Sequence, residues 1–256
     1  MSINGTLKNI YIHNKIFKLV ILHFLLPIFL IFFIGVTVHE ANLESNDITF
    51  RGFPWVLRLR HIMTNAKNLS EAISLFRSTD STVGFNHAVG SAIDKKLQVL
   101  ETMMGSQAVF SDNDPREIAG YEVNGYGNIG VPRSEAVYRT NHGYDPYTVE
   151  HYMWNNTGAF DYSIDRYLLF PGIFDEYSSR NTLISAKEAI NITAIVGDKG
   201  ADNLYDCQGT DAANILSTTF DPTNLIMYVA WENSLNGTWT PAACNSYLQL
   251  NMKSFF

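Results

Sequence analysis

The sequence predicts an α+β domain with antiparallel sheets, and three observations predict it. Helical periodicity comes in two blocks, near residues 54–77 and 146–194. Strand pairs with short turns separate and follow those blocks. No strand–helix–strand alternation of the kind that builds a parallel sheet occurs, and strands grouped apart from helices point to a layered α+β architecture.

The first element in order is an apolar run, Leu19 to Val38, LVILHFLLPIFLIFFIGVTV. About 20 apolar residues suffice to cross a bilayer as a helix. Lys8, Lys15 and Lys18 precede the run, and Glu40, Glu44 and Asp47 follow it. That asymmetry predicts a cytosolic N-terminus and a lumenal or extracellular remainder. The run reads either as an uncleaved signal anchor or as a signal peptide; cleavage after Ala41 would place His39 at a position that favours small residues. The expected organisation is a cytosolic segment 1–18, a hydrophobic helix 19–38, a linker 39–49 and a lumenal domain 50–256.

Pro54–Lys67 and Leu69–Arg77 read as helices. Val56, Leu57, Leu59, Ile62 and Met63 share one apolar face. Asn68 caps the second helix, with Glu71 three residues on reaching back. Residues 82–92 and 96–103 read as a hairpin turning at Asp94-Lys95. Alternation places Val83, Phe85, His87 and Val89 on one face, and Asn86 and Ala88 on the other.

Residues 111–135 are rich in Asn, Asp, Gly and Pro and read as loop. Gly125–Gly130, GYGNIG, matches a dinucleotide fingerprint in form only. That fingerprint needs a preceding strand and a helix opening at its end, whereas Val131-Pro132 follows here and Pro disfavours a helical Val131. Asp112, Asp114 and Glu117 cluster without the regular ligand spacing of a calcium loop and read as a solvated loop. Helices are expected at 146–154, at 163–176 and from a cap at Ser185 through Ala194. The tail closes with a hairpin, 214–221 and 224–232 around Pro222-Thr223, and a strand at 245–252.

Composition bounds the function. Of 256 residues, 46% are hydrophobic, and the net charge is −7. Without a basic stripe, a nucleic-acid surface is not expected. The seven His residues form neither an HExxH pattern nor paired ligand spacings, so no metal or other cofactor is expected. Asn68, Asn155, Asn191 and Asn236 each open an Asn-x-Ser/Thr glycosylation acceptor. Cys207 and Cys244 are the only cysteines, and neither lies in a CxxC pattern. In an oxidising lumen they read as a disulfide, the alternative being free structural thiols. Arg139–His142, RTNH, packs a cation, a hydroxyl, an amide and an imidazole into four residues, either as a site lining or as a structural turn.

The stretches GFPWVLRLRHIMTNAKNLSEAISLF, TVGFNHAVGSAIDKKLQVLE and RTNH, in that order, resemble the isopenicillin-N acyltransferase-like family of N-terminal-nucleophile (Ntn) hydrolases. The closing stretch from Asn214 resembles that family's lumenal eukaryotic branch. The resemblance covers residues from about 50 to the end. It implies a partial αββα sandwich and chemistry on amide bonds. In such enzymes autocleavage exposes a Cys whose thiol attacks while its own α-amine acts as base. Asn86, in TVGFN, and Asn141, in RTNH, match positions where oxyanion-holding amides are expected. No Cys lies upstream of Asp47. The chain is therefore expected to be the C-terminal part of such a hydrolase, without its nucleophile region. It would act as a noncatalytic lumenal binding protein, or with a second chain completing the sandwich. If the apolar run is uncleaved the chain is membrane-bound; if cleaved, it is secreted.

Overall fold

The computed structural model describes residues 35–118, 127–154, 157–197, 216–235 and 238–255. Four antiparallel strands form the first sheet: β1 (Val36–Asn42), β2 (Phe85–Ser91), β3 (Lys96–Met103) and β4 (Ser106–Phe110), in that spatial order. Between β1 and β2 the chain makes two helices, α1 (Trp55–Asn65) and α2 (Leu69–Arg77).

The first sheet is covered on both faces. Register places Val38 opposite Val89, and His87 opposite Leu100. These side chains pack with Leu59, Ile62 and Met63 of α1 and with Ala72 and Phe76 of α2. The helical residues recur at the three- and four-residue spacing that makes one stripe. Ala41, Ala88, Leu97, Val99 and Phe110 enter a second core on the opposite face. The alternation predicted for β2, with Phe85, His87 and Val89 against Asn86 and Ala88, holds.

β1 corrects the expected boundaries. Val36, Thr37 and Val38 were assigned to the hydrophobic helix and 39–42 to the linker, yet all seven residues pair with β2 from Val36–Ser91 to Asn42–Phe85. β1 opens with Val36-Thr37-Val38, which continues the apolar run before it, so periodicity does not mark where the strand starts. Leu43 and Ser45 are also buried, and Ser45 bridges to Tyr152. The stretch called a linker is therefore part of the domain. Among the described residues no helix is long and apolar enough to cross a membrane; positions 1–34 of the expected N-terminal segments lie outside the described residues.

α2 spans the predicted residues. Asn68 Oδ1 accepts from Glu71 N at 2.8 Å, while Glu71 reaches back to Lys67 N at 2.9 Å. β4 was not anticipated; Gly105, at φ 82°, supplies the left-handed turn that returns the chain from β3. Beyond the 111–135 loop come α3 (Pro146–Glu150), α4 (Thr157–Ser179) and α5 (Ala186–Gly197). Asp145 caps α3 through Tyr147 N at 3.1 Å. Ser185 N donates to Glu188 at 3.0 Å at the start of α5. α4 contributes Ile164, Tyr167, Phe170 and Phe174 to the second core.

A second sheet, β5 (Leu216–Asp221), β6 (Ile226–Trp231) and β9 (Leu248–Asn251), closes the chain, with a small hairpin of β7 (Asn233–Leu235) and β8 (Thr238–Thr240). β5 meets α5 on one side and β1 on the other, where His39 Nε2 lies 3.2 Å from Thr218 Oγ1. Helices and antiparallel sheets are thus layered as the α+β class requires.

Candidate functional site

Asn86 and Glu101 stand directly opposite each other on β2 and β3, on the face away from α1 and α2. Each reaches the loop that carries Arg139–His142. Asn86 Nδ2 donates to Thr140 O at 2.9 Å and to His142 O at 2.8 Å. One amide thus straddles Asn141 and fixes the backbone on both sides of it.

Glu101 holds the next stretch. Its Oε1 accepts from Arg139 Nε and Tyr144 N, each at 2.8 Å, and its Oε2 accepts from Asp145 N at 2.9 Å. Arg139 also donates from Nη1 to Glu117 Oε1 at 2.6 Å. The guanidinium lies 4.5 Å from the Phe110 ring centre and 4.9 Å from that of Tyr144. All three charged side chains are buried. Burial opposes the Arg139 charge, but Glu117 and Glu101 outweigh it and hold its pKa above the ordinary value. Burial pushes the Glu117 pKa up, and Arg139 pulls it back. Removing one partner of such a buried group leaves an uncompensated charge.

Glu117 is therefore not part of a solvated acidic cluster. Asp114 pairs with Arg116 at 2.6 Å, and Asp112 Oδ2 accepts from Glu135 N at 2.9 Å. The three acids of the 111–117 stretch serve three separate bonds, one to a near neighbour and two to the 133–139 stretch. Gly127–Gly130 of the GYGNIG stretch is irregular backbone in which Gly130 N donates to Asn128 Oδ1; Gly125 and Tyr126 lie outside the described residues. No group of His, Cys, Asp and Glu able to hold a metal occurs among the described residues.

Asn141 is the half-buried member of the RTNH loop. Its Nδ2 donates to Asn42 O at 2.7 Å, at the end of β1, and its Oδ1 accepts from Arg166 Nη2 at 2.5 Å. Its backbone N donates to Ser163 Oγ at 2.7 Å. Ser163 also meets His142 Nδ1 at 2.7 Å and Thr140 Oγ1 at 2.9 Å. A serine against an imidazole is the geometry of an activated nucleophile. Here both are fully buried, and the hydroxyl already accepts from Asn141 N. Burial, then Arg139 and Arg166, hold the His142 pKa well below its ordinary value. The cluster ties α4 to the RTNH loop.

The two predicted amides are thus brought together but differ in what they can do. Both hydrogens of Asn86 Nδ2 are committed to backbone carbonyls, so Asn86 positions the loop. Asn141 sits where β1, α4 and the loop meet and is accessible. Ser163, Arg166, Glu101 and Glu117 were not anticipated. Glu101 carried a signal: a lone acid in the middle of a strand otherwise rich in Leu, Val and Thr. Of the expected glycosylation acceptors, Asn68 caps α2 and Asn191 is exposed on α5; Asn155 and Asn236 lie outside the described residues. No described cysteine is free, Cys244 lying in a 3-10 turn, Ala242–Cys244; Cys207 lies outside the described residues.

No family model and no curated protein matches this chain. Eight chains of solved structures match. One is a mutant conjugated bile acid hydrolase from Clostridium perfringens. It shares 12% sequence identity over 86% of this chain and 70% of that chain, at a TM-score of 0.45.

Proposed function

We propose that this chain is a secretory-pathway glycoprotein on an Ntn-amidohydrolase-type scaffold, which contributes the amide-polarising side of an amide-bond site and no nucleophile of its own. One observation supports this reading above the rest. TVGFN and RTNH, separated by more than fifty residues, meet through the two hydrogen bonds of Asn86 Nδ2, and Asn141 is left at the accessible end of β1. An accessible amide on a fixed loop, beside the buried Arg166, is suited to polarise a carbonyl oxygen.

On this reading the attacking group comes from elsewhere. Cys207 and Cys244 are both in the C-terminal part of the chain. The Ser163–His142 pair is sealed. The chain alone therefore binds amide-containing acyl compounds without turning them over, and a second polypeptide supplies any nucleophile. Residues 19–34 hold the protein at a membrane or direct its secretion.

Two measurements test the reading. Thermal shifts with a series of N-acyl amides should show stabilisation in the wild-type chain that Asn141→Asp abolishes. Intact-mass analysis after incubation with a thiol-reactive lactone should show no acyl adduct at a new N-terminal residue. An absence of any thermal shift would remove the amide site. An adduct that persists in a Cys207→Ser/Cys244→Ser variant would show that a nucleophile is present.

A further inference from the structure

Asp47–Phe53 is an extended loop pinned at both ends. Thr49 N donates to Thr82 O at 2.8 Å, and Phe53 N donates to Asp80 O at 2.9 Å. On either side of Thr49 the side chains point outward. Ile48 is 60% exposed and Phe50 is fully exposed at 102%, the largest value among the exposed large hydrophobic residues described. The Phe53 ring tilts against His61 of α1, with centres 5.9 Å apart. Leu57, one turn ahead of His61 on the outward face of α1, is 55% exposed. A backbone fixed on both sides cannot withdraw these side chains.

The charges around them share one sign. Arg51, Arg60, His61 and Lys67 are exposed, and no Asp or Glu occurs from Ile48 to Ser70, in a chain whose net charge is −7. The nearest acids are Asp47, Glu71 and Asp80. Asp47 accepts from Tyr147 OH at 2.9 Å and lies 3.7 Å from His151 Nε2, Glu71 accepts from Lys67 N at 2.9 Å, and Asp80 attracts the buried Arg58.

We propose that the Asp47–Phe53 loop and the outward face of α1 form a contact surface for a bilayer rich in anionic lipid. Apolar side chains held beside cations suit the boundary between headgroups and acyl chains. The apolar groups sink a few ångströms, and the arginines extend toward the phosphates. Two aliphatic side chains and one aromatic make a shallow contact, separate from whatever residues 19–34 do.

The test reads this loop and not the whole chain, because the apolar N-terminal run would carry the protein to any vesicle. Phe50→Trp in the full-length protein adds an indole at the loop tip. Its quenching is measured against the wild-type background in vesicles of brominated phosphatidylcholine, with and without phosphatidylserine. The proposal expects additional quenching in the phosphatidylserine vesicles. On the Phe50→Trp background, Arg51→Glu/Arg60→Glu should raise the phosphatidylserine vesicle concentration for half-quenching by about tenfold or more. All three positions are exposed, so circular dichroism should be unchanged. An indole that stays unquenched in both vesicle types, or is quenched equally with and without phosphatidylserine, overturns the proposal.

Discussion

The Cα of Gly143 lies so close to the Glu101 carboxylate that a methyl group built on Gly143 would overlap it, and would overlap Thr148 Cγ2 as well. Glu101 is held by three backbone and guanidinium donors and cannot swing aside. Gly143→Ala is therefore expected to destabilise the domain by about 1–3 kcal/mol through overpacking. Urea unfolding monitored by tryptophan fluorescence checks it. A variant with wild-type stability would mean that the loop relaxes freely.

Glu101→Gln keeps the shape and removes the charge. Arg139 would then face Glu117 alone, with one amide hydrogen pointed at its own donors. A loss of about 3–5 kcal/mol is expected, the range for breaking a buried ion pair from one side. Glu117→Gln should cost less, because Glu117 makes one of the two charge contacts of Arg139 and holds no loop amide. Equal effects of the two substitutions would contradict the ordering of roles.

Stability should peak near pH 6.5. Burial lowers the His87 pKa to about 3 and puts His142 well below its ordinary value. The unfolded chain binds both protons below about pH 6.5, while the folded chain refuses them, so stability falls on acidification. Burial raises the Glu40 pKa to about 8, so its folded form keeps a proton that the unfolded form releases above about pH 4.5. Burial also lowers the His39 pKa, to about 4. Between pH 4.5 and 6.5 the unfolded state therefore holds three extra protons, on His39, His87 and His142, and the folded state one, on Glu40. The net is two protons, or about 3 kcal/mol of stability gained per pH unit. Above pH 6.5 the histidines no longer contribute, and the proton held by Glu40 makes stability decline toward pH 8. Denaturation midpoints across this range test the shape. Glu40→Gln should flatten the alkaline limb alone, and His87→Phe should soften the acid one.

Cys207 and Cys244 should pair. Closing a loop of this length contributes about 3–4 kcal/mol if unstrained. Peptide mapping without reduction should recover one cross-linked peptide. Two alkylated thiols in secreted protein would contradict the pairing.

Expression in a secretory host should give a protein whose gel mobility shifts on glycosidase treatment. Asn191, exposed on α5, is the acceptor to remove first. An unshifted band would count against the lumenal orientation.

The helices α1 and α2, the β2–β3 hairpin and the closing strands were legible because each carries a local period or a cap. Asn68 with Glu71 and the 3.6-residue stripe of α1 are short-range signals. β1 was not legible. Val36-Thr37-Val38 continues an apolar run, and nothing in the sequence says that β2, some fifty residues later, will pair with it. The site shows the same division. Asn86 and Asn141 were singled out from motifs, but the direction of the Asn86 amide depends on carbonyls of Thr140 and His142, which only tertiary contact supplies. Glu117 looked solvated because its partner, Arg139, is distant in sequence. The depth at which Ser163 and His142 are sealed is likewise a property of packing.

The start of β1 at Val36 changes the mechanics of whatever precedes it. An eleven-residue spacer at 39–49 would have given a membrane-held domain roughly 36 Å of slack. With four of those residues in β1 and Leu43 and Ser45 buried beside it, that slack is gone. In an anchored form residues 39–49 would give the domain no string on which to sweep the bilayer; the folded sheet edge itself would face the lipid from Gly35 onward.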